Sequence, residues 1–276
     1  MSAVLAYLRR DMRAALALAW LAALVIVAIA APWLSPYSPT AQNVNDMLAE
    51  PSAAHWLGTD DLGRDILSRL IHGAPATIYA SFLAVGIAIV IGVPIGLVAG
   101  YFGGWIDDVI SRTIDTLLSF PAIVLAIAVT GALGIGLTNG MIAVGIVFAP
   151  QLARLARARA LVVRHELYVD AARCFGASTP HILWRHVLPN TVQPVIVQVT
   201  LLLAGALLAE ASLSFLGLGV QPPNPSWGAM LARAYQTMDV APEQMYPPGL
   251  AILFTALAFN ALGESLRVAL DPTLKR

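Results

Sequence analysis

Hydrophobic residues make up 58% of the 276-residue chain and charged residues only 12%, whereas soluble domains average roughly 45–50% and 25%. A water-soluble globule of this composition would lack the polar side chains to cover its surface, so we expect a membrane protein. The sixteen basic and sixteen acidic residues give a net charge of zero at pH 7, which leaves a nucleic-acid partner without broad electrostatic support.

Six apolar stretches approach the length of about 20 helical residues that a hydrocarbon core of about 30 Å requires. They are residues 14–34, 76–102, 114–137, 139–153, 192–213 and 249–266. The fourth is short, and we expect it to continue past Arg154 with its arginines reaching the membrane interface. Leu62, Ile66 and Leu70 recur at helical spacing and predict a separate interfacial helix over residues 62–71. The predicted fold class is all-α: a polytopic membrane protein with six transmembrane helices.

The basic residues predict how the chain is oriented. With the N-terminus inside, thirteen of the sixteen Lys and Arg residues fall in inward segments, and only Arg64, Arg69 and Arg233 fall in outward ones. Positive charge in short loops favours the cytoplasmic side. We therefore predict that both termini and residues 154–190 are cytoplasmic. The basic start of the chain resembles a signal peptide, but its long apolar run without a cleavage site indicates a retained anchor.

The segment between the fourth and fifth apolar stretches predicts two short helices joined by a glycine. Residues 170–175 have helical spacing, and Gly176 follows as the residue after the helix end, where a positive φ is common. Ser178 or its neighbour can cap a second helix, and Pro180 suits its first position. Two adjacent alanines make the surface shallow enough to lie in a groove of another protein. A helix pair resting on the membrane surface is the alternative that these residues leave open.

This segment resembles the EAA loop of bacterial binding-protein-dependent ABC importers, the permease element that docks on the ATPase. The family pattern is Glu-Ala-Ala, three residues, Gly, nine residues, Ile, any residue, Leu-Pro. Here Asp170 stands at the Glu position and His186 at the Ile position. The resemblance implies a coupling loop whose residues are Asp170, Ala171, Ala172, Arg173, Gly176, Leu188 and Pro189.

Further motifs resemble the C-type permeases of the dipeptide, oligopeptide and nickel family. They include His55-Trp-Leu-Gly-Thr-Asp-Asp-Leu-Gly-Arg-Asp-Ile-Leu-Ser-Arg69, Gly100-Tyr-Phe-Gly-Gly-Trp105 and Leu213-Ser-Phe-Leu-Gly-Leu-Gly-Val-Gln-Pro-Pro223. The resemblance implies the type I ABC importer transmembrane fold. It divides the chain into an N-terminal part at residues 1–73, with the first span and an outer-face segment, a core at 74–266 and a cytoplasmic tail at 267–276.

The same resemblance implies the partners and the location. A P-loop needs a lysine for the nucleotide phosphates, and the only lysine is Lys275. We therefore expect no enzyme and no cofactor in this chain, with ATP and Mg²⁺ bound by one or two separate ABC ATPase subunits. A homologous B-type permease and an extracytoplasmic substrate-binding protein complete the expected complex in the bacterial inner membrane. Peptides, nickel complexes, haem, glutathione and oligosaccharides all remain open as substrates.

Two other classes of protein stay open from the residues alone. A self-contained secondary transporter would show paired broken helices and ionisable groups near mid-membrane. An intramembrane hydrolase would need a nucleophile with its base, or metal ligands, inside the spans. No His-x-x-x-His or Cys-x-x-Cys spacing is present, and the one cysteine, Cys174, excludes an internal disulfide. We predict neither catalytic residues nor a metal site.

Ionisable and amide side chains inside spans are costly and suggest function. Glu210 has no basic neighbour in sequence, so we expect it to face a partner or a water-filled path, and Asn260 is a second candidate for the path. Asp115 is predicted to pair with Arg112, and Glu264 to pair with residue 267.

Overall fold

A computed structural model describes residues 11–270. The predictions for the first ten and last six residues, which include Arg9, Arg10, Lys275, Arg276 and the end of the tail, lie outside the described residues. Within the described range the regular structure is helical, apart from one isolated bridge between Thr59 and Asp65. The all-α prediction is confirmed.

Ten α-helices follow one another along the described residues. They are α1 (Met12–Leu34), α2 (Ile66–Phe102), α3 (Gly104–Ser119), α4 (Ala122–Leu133), α5 (Leu137–Val163), α6 (Leu167–Cys174), α7 (Thr179–Ile182), α8 (Leu188–Phe215), α9 (Trp227–Gln236) and α10 (Tyr246–Leu270). A π-helical turn, Leu183–Val187, joins α7 to α8. Five helical segments among the described residues are long and apolar enough to cross a membrane, and the number is six if the bent pair α3 and α4 forms one span. The fourth predicted span does continue past Arg154, since α5 ends at Val163.

The third span was predicted as one helix over residues 114–137, and this is wrong. Helices α3 and α4 meet at an angle of 97°. Between them, Phe120 and Pro121 have extended backbones with ψ of 141° and 123°. A residue before proline is disfavoured in the α region, because the proline ring collides with it. The chain therefore turns at this pair.

The predicted interfacial helix at residues 62–71 does not exist as a separate element. The Asp65 carboxylate caps α2 by accepting from the Ser68 backbone N–H at 2.7 Å, so the helix begins at Ile66 and runs unbroken to Phe102. Upstream, Asp60 Oδ1 accepts from the backbone N–H groups of Leu62 and Arg64, each at 3.0 Å. These bonds hold residues 60–64 in a turn.

Helices α2 and α5 pack closely through a row of glycines on α2. Gly92, Gly96 and Gly100 lie four residues apart and face the α5 backbone, and a Cβ at Gly100 would lie 2.5 Å from the Arg157 carbonyl oxygen. Small residues at such spacing let helix backbones approach in a membrane. Gly86, on the same helix, has open space where a Cβ would be. Sequence spacing alone does not separate these two kinds of glycine.

The first helix lies beside α10. Asp11 caps α1 and accepts from the Ser265 hydroxyl at 2.6 Å, and the Trp20 indole donates to the Thr255 hydroxyl at 3.1 Å. Much of the apolar surface of α1 remains exposed. A membrane-facing position suits this helix, since lipid can cover such a surface.

The bundle has two polar ends, which we name by their contents. The loop end holds residues 164–190, and the cap end holds residues 35–69, which include the first turn of α2, and residues 217–245. Ion pairs join neighbouring helices: Arg157 Nη2 donates to Asp107 Oδ2 at 2.7 Å, and Arg154 lies 2.6 Å from Asp115. The predicted partner of Asp115, Arg112, is therefore wrong, because the tertiary fold brings α5 alongside α3. The predicted pair of Glu264 with Arg267 is confirmed at 2.7 Å.

Candidate coupling surface

The predicted helix–glycine–helix segment is present at the loop end. Helix α6 ends at Cys174, Phe175 is its C-cap residue, and Gly176 follows with φ +79°. The Gly176 N–H donates to the Arg173 carbonyl at 2.9 Å, and the Ala177 N–H donates to the Ala172 carbonyl at 3.0 Å. This pair of bonds is the Schellman arrangement, which satisfies the last carbonyls of a helix and requires a left-handed residue after it. Gly176 therefore has the local structure that its sequence position predicts.

The second half of the segment feeds directly into a membrane helix. Ser178 precedes α7, but its side chain makes no capping hydrogen bond, and Pro180 occupies the second rather than the first helical position. After the π-helical turn, Leu188 and Pro189 begin α8. A displacement of this segment must therefore act on α8 without an intervening flexible loop.

One side of the segment packs on the bundle. Val169, Ile182 and Val187 are buried in the core, and Ala172 packs against it as a half-buried neighbour. Val169 anchors α6 on the bundle, although the sequence pattern of the segment did not single it out. His186, which stands at the family's Ile position, is half-buried, and its neighbour Val187 is buried. Both residues lie in the π-helical turn.

The segment also exposes large apolar side chains. Leu167 is 86% exposed, Phe175 is 91% exposed and Trp184 is 76% exposed. Ala171 is also exposed and lies between them in sequence. Leu167, Ala171 and Phe175 are spaced four residues apart, which places them along one face of α6 and its C-cap. Exposed apolar side chains on one face are typical of an interaction surface. We call Leu167, Ala171, Phe175 and Trp184 the coupling surface.

The charged residues of the segment lie beside this surface. Asp170 and Arg173 are exposed and pair with each other at 3.1 Å. The Arg173 guanidinium also lies over the Tyr101 ring, 5.3 Å from its centre, at the end of α2. Contact with the Tyr101 side chain raises the pKa of Arg173, and an arginine is a cation at all ordinary pH values without such a contact.

Two further contacts fix the segment to its neighbours. Arg164 donates to the Gly100 carbonyl at 3.1 Å, and Asn190 donates to the Tyr168 hydroxyl at 3.1 Å. The first joins the end of α5 to the end of α2, and the second joins α6 to the start of α8. These residues have no distinguishing motif in sequence, since each contact depends on a helix end that only the fold supplies.

The two predicted path residues lie in different surroundings. Glu210 is 0% exposed. The Ser214 hydroxyl donates to Glu210 Oε1 at 2.7 Å, while Oε2 has no hydrogen-bond partner among the described residues. Asn260 is exposed on α10. The structure thus encloses Glu210 within the subunit, and its part in the path stays a prediction that requires the helices around it to move.

Histidines near the coupling surface do not form a metal site within residues 11–270, where no group of three His, Cys, Asp or Glu side chains is placed to bind a metal. His181 and His186 lie with ring centres 5.9 Å apart in an edge-on arrangement. Cys174 is exposed beside the coupling surface.

Comparison with known proteins identifies the family. Residues 92–276 match the model of the binding-protein-dependent transport system inner membrane component, which is more than half of the chain. The chain belongs to this family. Residues 1–51 match the N-terminal transmembrane domain of oligopeptide transport permease C, so it is a C-type permease subunit of an ABC importer and a multi-pass protein of the inner membrane.

Individual relatives of this permease agree with the family models. A glutathione transport system permease protein, GsiD, from Shigella flexneri serotype 5b is 48% identical over 97% of this chain and 88% of its own length. Its counterpart from Escherichia coli O6:K15:H31 is 47% identical over the same shares. Neither the secondary transporter nor the hydrolase fits a chain that matches ABC permeases along nearly its whole length.

A solved structure supports the fold of this permease. A chain of the MetNI methionine ABC transporter in an inward-facing conformation matches with a TM-score of 0.61 and 18% identity. The match covers 75% of this chain and 98% of that chain. The fold is therefore that of a type I ABC importer transmembrane domain.

Proposed function

We propose that this permease forms one half of the translocation path of an importer for peptide-class solutes, glutathione among them. The observation that carries the proposal is the 48% identity to a glutathione permease along 97% of the chain. The second half of the path would come from a homologous B-type permease. An extracytoplasmic binding protein would deliver the solute, and the ATPase subunits would bind ATP and Mg²⁺.

The proposed orientation places the loop end in the cytoplasm and the cap end outside. Of the arginines in the described range, Arg64, Arg69 and Arg233 lie at the cap end, while those of residues 154–190 lie at or near the loop end. Cytoplasmic loops of membrane proteins carry such an excess of basic residues. The coupling surface then faces the side on which ATP is available.

The coupling surface suits a groove on the ATPase. Its side chains are apolar and protrude from short helices, which is how a helix fits into a hydrophobic groove. Asp170 and Arg173 would lie at the rim, where charges contribute mainly to orientation and association rate. Asp170, Ala171, Ala172, Arg173, Gly176, Leu188 and Pro189 are thus proposed to act through the helix–glycine–helix geometry rather than as separate binding groups.

Movement of the ATPase subunits would reach the membrane through the contacts of the segment. Tyr168 contacts Asn190 on α8, and Arg173 contacts Tyr101 on α2. Rigid displacement of packed helices is a common way of switching between two conformations. We infer that ATP binding moves α2, α5 and α8 together and exposes the path alternately to each side.

The test is reconstitution of the complete importer in proteoliposomes with its own ATPases, B-type permease and binding protein. We expect ATP-dependent accumulation of glutathione or small peptides. Phe175→Ala should lower solute uptake per ATP hydrolysed, because it removes an exposed side chain of the coupling surface. Val240→Ala is the matched control, since Val240 is 76% exposed at the cap end. ATP hydrolysis without uptake of any peptide-class solute by the parent complex would refute the substrate proposal, and equal effects of the two variants would refute the coupling proposal.

A further inference from the structure

The three arginines of the cap end come together around one cavity. Arg64, Arg69 and Arg233 all line a cavity of about 190 Å³ between the turn before α2 and helices α8 and α9. Arg64 and Arg69 are deeply buried, with 2% and 5% of their surfaces exposed. Burying guanidinium groups is costly unless they are paired or bind an anion, so their gathering at one cavity requires a physical reason.

Part of the reason is that two aspartates form ion pairs with the arginines. Asp60 Oδ2 accepts from Arg64 Nε at 2.7 Å and lies 3.5 Å from Arg69 Nε. Asp61 accepts from Arg233 Nη1 at 2.7 and 2.9 Å. Arg64 Nη2 also lies 2.6 Å from Asp60 Oδ2, but it is not aligned for a hydrogen bond and contributes only to the ion pair. Two carboxylates thus face three guanidinium groups and leave one positive charge in excess.

The remaining wall of the cavity adds hydrogen-bonding groups and no negative charge. Gln221, Asn224 and Gln236 line it, and its lining contains no acidic side chain. A guanidinium group has five N–H donors in a fixed fork that matches a carboxylate. Arg69 Nη1 donates to the carbonyl oxygens of Pro39 at 2.7 Å and Pro223 at 3.4 Å. Together with the contacts to Asp60 and Asp61, these bonds use only part of the donors of the three groups. The cavity is smaller than the roughly 300–1,000 Å³ of a site for a whole drug-sized ligand, so it suits one functional group.

We propose that this cavity binds the carboxylate of the transported solute at the cap end. The inference rests on the proposed function, because peptide-class solutes carry at least one carboxylate at neutral pH. Asp60 and Asp61 hold the arginines in place, the excess positive charge selects an anion, and the three amide side chains accommodate neighbouring polar groups. The turn at residues 60–64 and the second half of α9 thereby gain a binding role that is separate from the coupling mechanism.

The test uses Gln236, because this side chain is exposed and its replacement should not disturb folding. Gln236→Glu would add a negative charge to the wall, and Gln236→Lys would add a positive charge at similar size. Binding of N-acetylalanine and of N-acetylalaninamide to the purified importer complex, without binding protein, is measured from the shift in unfolding temperature that a ligand causes. We expect the carboxylate probe to bind about fivefold more weakly to Gln236→Glu and about fivefold more tightly to Gln236→Lys. The amide probe should show no change.

Uptake of a tripeptide and of its C-terminal amide by proteoliposomes supplies the second measurement. The KM for the tripeptide should rise in Gln236→Glu and fall in Gln236→Lys, with kcat retained. If the parent complex binds N-acetylalanine in this charge-dependent way but imports no peptide, the proposed function fails and the carboxylate site stands. If both probes respond equally, or neither responds, the carboxylate site is wrong. If only stimulation by the binding protein changes, the cavity receives an acidic side chain of that protein instead, and the solute proposal is again wrong.

Discussion

The guanidinium of Arg173 lies over the ring of Tyr101, 5.3 Å from its centre. The two residues are 72 positions apart in sequence, and they join α6, which ends at Cys174, to the end of α2. A cation over an aromatic face is worth roughly 0.5–1 kcal/mol at an exposed site. This contact is weak enough to break and reform, and it is one direct link between the coupling surface and α2.

Tyr101→Leu should weaken coupling while the complex still assembles. The leucine retains apolar bulk but has no π face for Arg173. We expect a fall of about two- to fivefold in solute imported per ATP hydrolysed, in line with the strength of a single cation–π contact. Tyr101→Phe keeps the face and should behave as the parent does. Equal coupling ratios for the leucine and phenylalanine variants would show that the ring is not needed.

Gly176→Val should damage the coupling segment through its backbone. The residue has φ +79°, and a Cβ at this position meets nothing within 4 Å. Steric overlap is therefore not the cause, and the cost of about 1–2 kcal/mol comes from forcing an L-residue into the left-handed region. The amount of ATPase that co-purifies with the permease variant measures the effect on assembly.

Gly176→Asn is the matched control for this position, because asparagine tolerates positive φ far better than a β-branched residue. It should retain assembly and most of the transport. Loss of assembly in the asparagine variant, or normal transport by the valine variant, would argue against a backbone requirement.

Gly96→Ala should destabilise the helix pair α2 and α5. A Cβ there would lie 2.8 Å from the Ala156 Cβ and overlap the Ala153 carbonyl. Such overpacking typically costs about 1–3 kcal/mol. Gly86→Ala makes the same chemical change on the same helix, where a Cβ meets nothing within 4 Å, and it should leave the unfolding temperature in detergent nearly unchanged. Similar unfolding temperatures for both variants would mean that α2 and α5 do not depend on this close approach.

Glu210→Leu should destabilise the chain, because it removes the acceptor for the buried Ser214 hydroxyl. A buried polar group left without its partner costs about 1–3 kcal/mol. Glu210→Gln keeps an oxygen acceptor and should preserve the unfolding temperature. If Glu210 takes part in the path, the glutamine variant will still change the uptake rate, which a purely structural role would not do.

Ser212→Ala is the control for that series. Ser212 is exposed on the same helix, and its hydroxyl bonds only to the Leu208 carbonyl. Uptake and stability of this variant should match the parent. A glutamine variant that transports as this control does would remove Glu210 from the path.

Local rules predicted the coupling segment well. The position of Gly176 and the short helix before it depend on residues within a few positions of each other, and α5 continues past Arg154 because arginine stems suit a membrane interface. The prediction of the third span as one helix was wrong because its proline could not be interpreted from local rules. Pro94, Pro150 and Pro194 lie inside helices, whereas Pro121 lies in the break between two helices. Sequence alone does not show which prolines have neighbours that support a continuous helix.

Contacts between distant segments were not accessible from sequence. Asp115 pairs with Arg154 rather than with nearby Arg112 because α5 packs alongside α3. Glu210 differs, because its hydrogen-bond donor, Ser214, lies one turn further along the same helix and only a basic partner was sought in the sequence. The fold adds Ser226, whose hydroxyl lies 3.5 Å from that of Ser214. The packing of helices therefore supplied the compensating group for Asp115 but not for Glu210.

The glycine row on α2 has a mechanical consequence. Helix α2 contains 37 residues, so at 1.5 Å per residue it is about 55 Å long, and close backbone contact with α5 stiffens it against bending. If a helix of that length tilts as a rigid body about its loop end, each degree of tilt displaces its far end by about 1 Å. Because Arg64 and Arg69 flank the far end, a tilt of a few degrees imposed beside Tyr101 would change their distance from Arg233 on α9 by more than the tolerance of a hydrogen bond.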